Sequence, residues 1–315
     1  GSGGIDCVAA AKITHSSVMR NCIIRNNKIT GSASGVYSGG VFLSVNGSLL
    51  NSYIHDNNNA NSFGGGNGGG VTIYELSTVD GCKITNNTAY ASGGGVHIIG
   101  RAGGAVVMNS TVSGNTATNG SGGGINMGNN EVNFTSGKNI TISDCIISSN
   151  TAKSNGGGVA GDIPGVNPNN WNSNPMYITN CTVDLNTTMT NGGGFYFDRG
   201  VFTIKGCDIN YNESKNTELK ESNGGGGIYA KFSNGSSVTV NNSVLKGNRV
   251  TKGNKGSAIR PDLTLTLRNC LITANVGDNI IQQGAGRTST FQNCTFASNL
   301  NHTNAPASLY MGWTV

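Results

Sequence analysis

Eight cysteines, four histidines and fifteen acidic residues are the groups in this 315-residue chain that could do chemistry, as thiolate nucleophiles, metal ligands or a general acid–base pair. Their spacing argues against each use. No Cys-x-x-Cys pair occurs, and His15, His55, His97 and His302 are too scattered for metal-ligand spacing. Seven cysteines (Cys22, Cys82, Cys145, Cys181, Cys207, Cys270 and Cys294) instead share one slot of a recurring heptapeptide, [Asn/Asp/Gly]-[Cys/Ser]-x-apolar-x-x-Asn. A slot that Ser52, Ser110 and Ser243 fill in the other copies is structural. No metal and no cofactor is expected.

The heptapeptide occurs ten times, from NCIIRNN at 21–27 to NCTFASN at 293–299, with closing asparagines 24 to 36 residues apart. Between copies a Gly pair or triplet precedes an apolar-x-apolar segment, as in GGVTI at Gly69, GGVHI at Gly94 and GGFYF at Gly193. A further alternating pair, such as Ile140/Ile142 or Leu265/Leu267, stands just ahead of the Cys/Ser slot. Alternation over short runs means strands. Three per repeat, with no helical period, predict an all-β fold. The expected architecture is a right-handed parallel β-helix solenoid of about ten coils of three short strands, stacked at ~4.8 Å. A β-propeller needs about 40 to 50 residues per blade, more than this repeat supplies. The chain reads as a single domain and as a segment of a longer protein.

Composition agrees. Gly is 50 of 315 and Asn 46, only 11% of residues are charged, and there are 5 prolines. Helices tolerate such a composition poorly, disorder calls for more charge and proline, and clustered glycines exclude collagen. The net charge of +5 is spread thinly, so no nucleic-acid partner is expected, and no apolar run is long enough for a membrane span.

The residue before each Cys/Ser is Asn, Asp or Gly, the types that accept positive φ most readily, and predicts a one-residue left-handed corner. The Gly clusters predict a second corner, where a Cβ would crowd the turn. The cysteines are expected to be buried free thiols acting as small hydrophobes, because parallel side chains at ~4.8 Å lie too far apart for a disulfide. The closing asparagines, Asn27 to Asn299, are expected to stack as an inward amide ladder.

The Gly-Gly-apolar strand alternating with apolar-x-x-Asn resembles the paired GGA(I/L/V) and FxxN motifs of the polymorphic outer-membrane proteins of chlamydiae, along the whole chain. The aromatic of FxxN survives only in FASN at 296–299. The resemblance implies a bacterial extracellular or cell-surface stalk or adhesin, and no catalytic residue. The pectate-lyase-like superfamily shares the expected architecture and supplies the competing class, polysaccharide lyases and glycoside hydrolases. Those enzymes gather acidic residues on an outer strand face, whereas the outward positions of the Gly-led strands read Asp6, Phe42, Thr72, His97, Asn126, Ala160, Tyr196, Tyr229, Arg260 and Ile281. Asp184 and Asp208 form the one conceivable pair, offset by two residues on successive coils.

The expected contact face lies elsewhere. Long insertions near 128–139, 161–175 and 213–222 flank adjacent coils, and solenoids place function on such loops. Trp171, Tyr196 and Tyr229, with Asp198, Arg199, Lys231 and Arg260 around them, would form an exposed aromatic and polar strip suited to a glycan or a host or cell-surface protein. Uncapped coils at both ends would favour end-to-end self-association.

Overall fold

The computed structural model describes residues 10–30, 38–62, 66–99, 104–128, 139–161, 175–216, 224–231, 235–251, 255–284 and 286–310. They form a right-handed parallel β-helix. Four sheets run along it, and every pairing between their strands is parallel. The first holds eleven strands, from Ala11–Ile13 to Ser308–Tyr310, seven of them led directly by a Gly pair. Its first strand corrects the expected outward placement of Asp6, because Lys12 pairs with Phe42 and takes that row, while Asp6 lies outside the described residues. The second and third hold ten each, from Val18–Arg20 to Ser289–Gln292 and from Ile23–Arg25 to Thr295–Ala297.

The fourth sheet was not expected. Its eight strands are two residues long, from Lys28–Ile29 to Arg249–Val250, and follow the closing asparagines. Two residues carry no alternation, so the pattern of three strands per repeat could not reveal them.

Alternation sets what enters the core. Val71 and Ile73, Val79, and Ile84 point inward from the first, second and third sheets of one coil, and the coils above and below repeat the pattern. Register holds down the stack until the last coils, where Ile259 pairs with Ile281 and the pairing then shifts between Asn279 and Ile281. This corrects the outward placement of Ile281, which is fully buried in the core. The degenerate copy lacks its glycines, and its strand starts at Asn279.

The ten corners before the Cys/Ser slot all have positive φ, as at Asn51, Gly81, Asp144 and Asn242. A second set of ten, just before the closing asparagines, is also left-handed and includes Leu185 (φ 55°), Tyr211 (φ 53°) and Ala274 (φ 53°). Left-handed backbone costs a branched or bulky residue about 1–2 kcal/mol relative to glycine. Leu185→Gly is therefore expected to raise stability by about 1 kcal/mol, because the exposed leucine gives up little burial. A lowered midpoint in urea would count against this.

The asparagine ladder spans all ten coils. From Asn27 to Asn275 each Nδ2 donates to Oδ1 of the next asparagine, as in Asn87 to Asn115 (3.1 Å) and Asn115 to Asn150 (3.0 Å). The same Oδ1 also accepts the backbone N–H of the preceding rung, as in Asn115 N to Asn150 Oδ1 (2.9 Å). The second Nδ2 hydrogen goes to a third-sheet carbonyl of the coil before, Ile84 O for Asn115 (2.9 Å) and Val112 O for Asn150 (2.9 Å). Every bond between amides runs in one direction along the axis.

The cysteine column does more than fill space. Cys82 Sγ donates to Asp80 O (3.3 Å), as Ser52 Oγ does to Leu50 O (2.7 Å), and the Cys82 N–H donates to Ser110 Oγ (3.0 Å). Cys181 N–H reaches Cys207 Sγ in the same way (3.4 Å). Cysteine and serine both serve in this slot because each offers a small donor and acceptor at one spot. All seven described cysteines are free, and Cys7 lies outside the described residues. Burial pushes the Cys82 and Cys270 thiols up, and hydrogen bonding to Cys181 together with burial does so for Cys207. Such thiols yield little thiolate and react slowly.

Candidate functional site

Four strands of the first sheet, Val159–Gly161, Phe195–Phe197, Ile228–Ala230 and Ile259–Pro261, stack so that Ala160, Tyr196, Tyr229 and Arg260 form one column. Their neighbours on either side face the core. The column therefore lies on the outer face of the sheet, where Ala160, Tyr196 and Tyr229 make a small apolar cluster of their own. The two tyrosine rings stack with centroids 5.5 Å apart and planes 7° apart.

Beside this column runs a second one, Asp198, Lys231 and Asp262, each held by its own N–H on the preceding coil: Asp198 to Gly161 O, Lys231 to Phe197 O and Asp262 to Ala230 O. The two columns interlock. Asp198 Oδ2 accepts from Lys231 Nζ (2.8 Å) and from the Tyr196 hydroxyl (3.4 Å). Asp262 accepts from the Tyr229 hydroxyl at Oδ2 (3.1 Å) and from Arg260 Nε at Oδ1 (3.4 Å). Each carboxylate thus takes one phenol and one cation. Burial, with the nearby Asp262 carboxylate, pushes the Tyr229 hydroxyl well above its usual range.

The open aromatic strip expected from the sequence is not present. Tyr196, Tyr229 and Arg260 retain only 8%, 4% and 6% of their exposure. The closure extends along the first sheet, where Thr72, His97 and Ala160 occupy outward positions and are also buried. Exposed to solvent are Lys231 and, in part, the Asp198 and Asp262 carboxylates; Arg199 is half-buried at the turn after Asp198. Trp171 lies outside the described residues. Asp262 was overlooked in the sequence, although it follows Arg260 at the spacing by which Asp198 follows Tyr196.

No family model, curated protein or solved structure matches this chain. The chemistry must therefore be read from the residues alone. Among those described, no group of three or more His, Cys, Asp or Glu side chains is arranged to hold a metal, and no helix is long and apolar enough to cross a membrane.

The Asp184 and Asp208 pair does not share a row. Asp184 registers with Asn210, whereas Asp208 registers with Thr182. The Asp184 and Asn210 Oδ1 atoms are buried with no hydrogen-bond partner, and burial pushes the Asp184 carboxyl up.

His97 is a buried titratable group on the outer face of the first sheet. It is fully enclosed, its Nδ1 lies 3.1 Å from Asn126 Nδ2, and burial pushes its pKa down to about 4. An unfolded histidine titrates near 6.5, so the unfolded chain binds the proton first. The stability associated with neutral His97 is complete above about pH 6.5 and is lost as pH falls towards 4, amounting to about 3 kcal/mol. Denaturant titrations of wild type and His97→Asn across that window should diverge by this amount. Parallel pH profiles would remove His97 as the cause.

Proposed function

We propose that this chain is a non-enzymatic β-helix of an extracellular or cell-surface protein, serving as a stalk or adhesin. The observation that carries the reading is the unbroken asparagine ladder, which links all ten coils from Asn27 to Asn299. The spacing between rungs in the sequence varies from 24 to 36 residues, while the amide bond from each rung to the next is kept. Ten rungs at ~4.8 Å give a stiff rod of roughly 45 to 50 Å. Such a body separates two points and presents side chains and loops along its length. The resemblance to the polymorphic outer-membrane proteins supports the surface location.

The contact face in this reading is the polar edge of Asp198, Lys231 and Asp262, beside Arg199, toward a glycan or a cell-surface protein. The competing lyase or hydrolase reading would need carboxylates available for proton transfer, whereas each carboxylate here is already engaged by a tyrosine and a cation.

Two measurements test the proposal together. Antibody labelling of intact cells expressing the full-length protein should equal labelling after permeabilisation. Incubation with polygalacturonate should release no reducing ends. Labelling that requires permeabilisation would refute the surface location. Depolymerisation abolished by Asp198→Asn or Asp262→Asn would restore the enzyme reading.

A further inference from the structure

Along the sequence the net charge of +5 is thinly spread, but the fold gathers most of it into one coil. Lys12, Arg20, Arg25 and Lys28 belong to the first coil, one on each of its four strands, Ala11–Ile13, Val18–Arg20, Ile23–Arg25 and Lys28–Ile29. All four are exposed, and each strand is the edge of its sheet. No acidic residue occurs from Cys7 to His55, so the rest of the chain holds sixteen basic against fifteen acidic residues and is close to neutral. The first carboxylate that follows, Asp56, is engaged by His55 Nδ1 (2.6 Å). The register partners on the second coil, Phe42, Leu50, His55 and Asn58, add no negative charge.

Two aliphatic side chains stand among these cations. Val18 keeps 48% and Ile23 68% of its exposure, and Ile23 is the most exposed large apolar residue among those described. Both point outward, because Met19 and Ile24, the middle residues of their strands, face the core. Val18 thus shares a strand face with Arg20, and Ile23 with Arg25. Cations on edge strands guard against edge-to-edge pairing, but guarding alone calls for polar neighbours, and an exposed isoleucine works against it. Cations beside aliphatic side chains, with no carboxylate between them, match an anionic lipid surface: the charges meet the headgroups and the aliphatic groups enter the acyl boundary. A nucleic acid or an acidic glycan would use the cations but give Val18 and Ile23 nothing apolar to enter.

We infer that the first coil docks on an anionic lipid surface. The four cations leave the coil on four sides, so a flat surface meets them together when the rod stands steeply on it, with the long Lys and Arg stems bending toward the headgroups. Lys12 is partly committed elsewhere, since its Nζ lies 5.9 Å from the Phe42 ring centroid. The docking is independent of the stalk reading, because it follows from charge and apolar exposure alone.

Vesicle flotation of the whole chain tests this. Vesicles of phosphatidylcholine with about 30% phosphatidylglycerol should carry the chain upward, and pure phosphatidylcholine should bind it at least about tenfold less. Raising NaCl from about 0.1 M to about 1 M, which shortens the screening length from ~10 Å to ~3 Å, should release it. Arg20→Gln/Arg25→Gln should lower the affinity about thirtyfold, and Ile23→Ser about tenfold. Lys205→Gln/Arg268→Gln is the matched control, because it removes the same charge from the register column that Arg20 occupies. That variant should bind within about twofold of wild type. The inference is overturned if anionic vesicles do not float the chain, if phosphatidylcholine floats it equally, or if the arginine variant binds like wild type. It is also overturned if the control loses as much as the arginine variant, or if a DNA duplex at the same salt binds more tightly than the anionic vesicles.

Discussion

Asn150→Asp is expected to destabilise the protein more than Asn150→Ala at neutral pH, and less at pH 4. The asparagine accepts from Asn115 N and Asn115 Nδ2 and donates to Val112 O and Asn186 Oδ1 (2.9 Å each for the donated bonds). Alanine leaves the Asn115 N–H and one Asn115 amide hydrogen without their ladder partner inside the rod and removes one hydrogen bond to the Val112 carbonyl. Each orphaned buried group costs about 1–3 kcal/mol, so a total near 4 kcal/mol is expected, and urea denaturation measures it directly.

Aspartate keeps the shape but cannot donate, so its carboxylate would face the Val112 and Asn186 oxygens in a buried site. That environment raises the folded pKa above the unfolded value near 3.9. A raised folded value means stability is restored as the proton is taken up and lost as pH rises through the folded pKa. Expressed as a difference from wild type, which cancels the His97 contribution, the Asp variant should recover stability on acidification while the Ala variant should not. A pH-independent difference for Asn150→Asp would show that the rung needs only an acceptor, contradicting the donor bonds.

This ladder was legible in the sequence because its signal is a fixed residue type at a fixed place. The closing asparagine and the Cys/Ser slot repeat in every coil, and inward positions tolerate little variation. The corner before Cys/Ser was legible for the same reason. The corner before the closing asparagine was not, because its residues range from Gly to Tyr. The φ there is imposed by the ladder bonds on either side and not by side-chain preference.

The outer face was harder to read. Alternation correctly put Tyr196, Tyr229 and Arg260 outside the core, but a period of two says only which side of a sheet a residue faces, not whether that side meets water. Exposure depends on what covers the sheet. The carboxylate partners Asp198 and Asp262 sit just past their strands, where alternation no longer applies.

Gly124→Ala is expected to be among the most damaging single-methyl changes in the chain. Gly124 precedes the strand Ile125–Met127, and its N–H donates to both Gly157 O and Gly158 O (3.1 Å each) on the next coil. A Cβ there would stand 2.6 Å from Gly158 O, 2.8 Å from Asn150 Nδ2 and 3.0 Å from Ile147 Cγ2. The nearest obstacle is backbone and the second is a ladder amide, so relief requires moving the next coil away or breaking a rung. Overpacking a well-filled interior costs about 1–3 kcal/mol, and loss of ladder hydrogen bonds adds about 1–3 kcal/mol, for an expected total of roughly 4 kcal/mol. Gly286→Ala is the informative contrast. Its φ is +69° and nothing lies within 4 Å of its Cβ, so it should lose only about 1 kcal/mol, from the left-handed backbone alone. Thermal or urea midpoints that fall equally for both variants would mean that the Gly clusters serve backbone conformation. A drop several times larger for Gly124→Ala would show that they exist to let successive coils approach, with the asparagine ladder setting how close that approach must be.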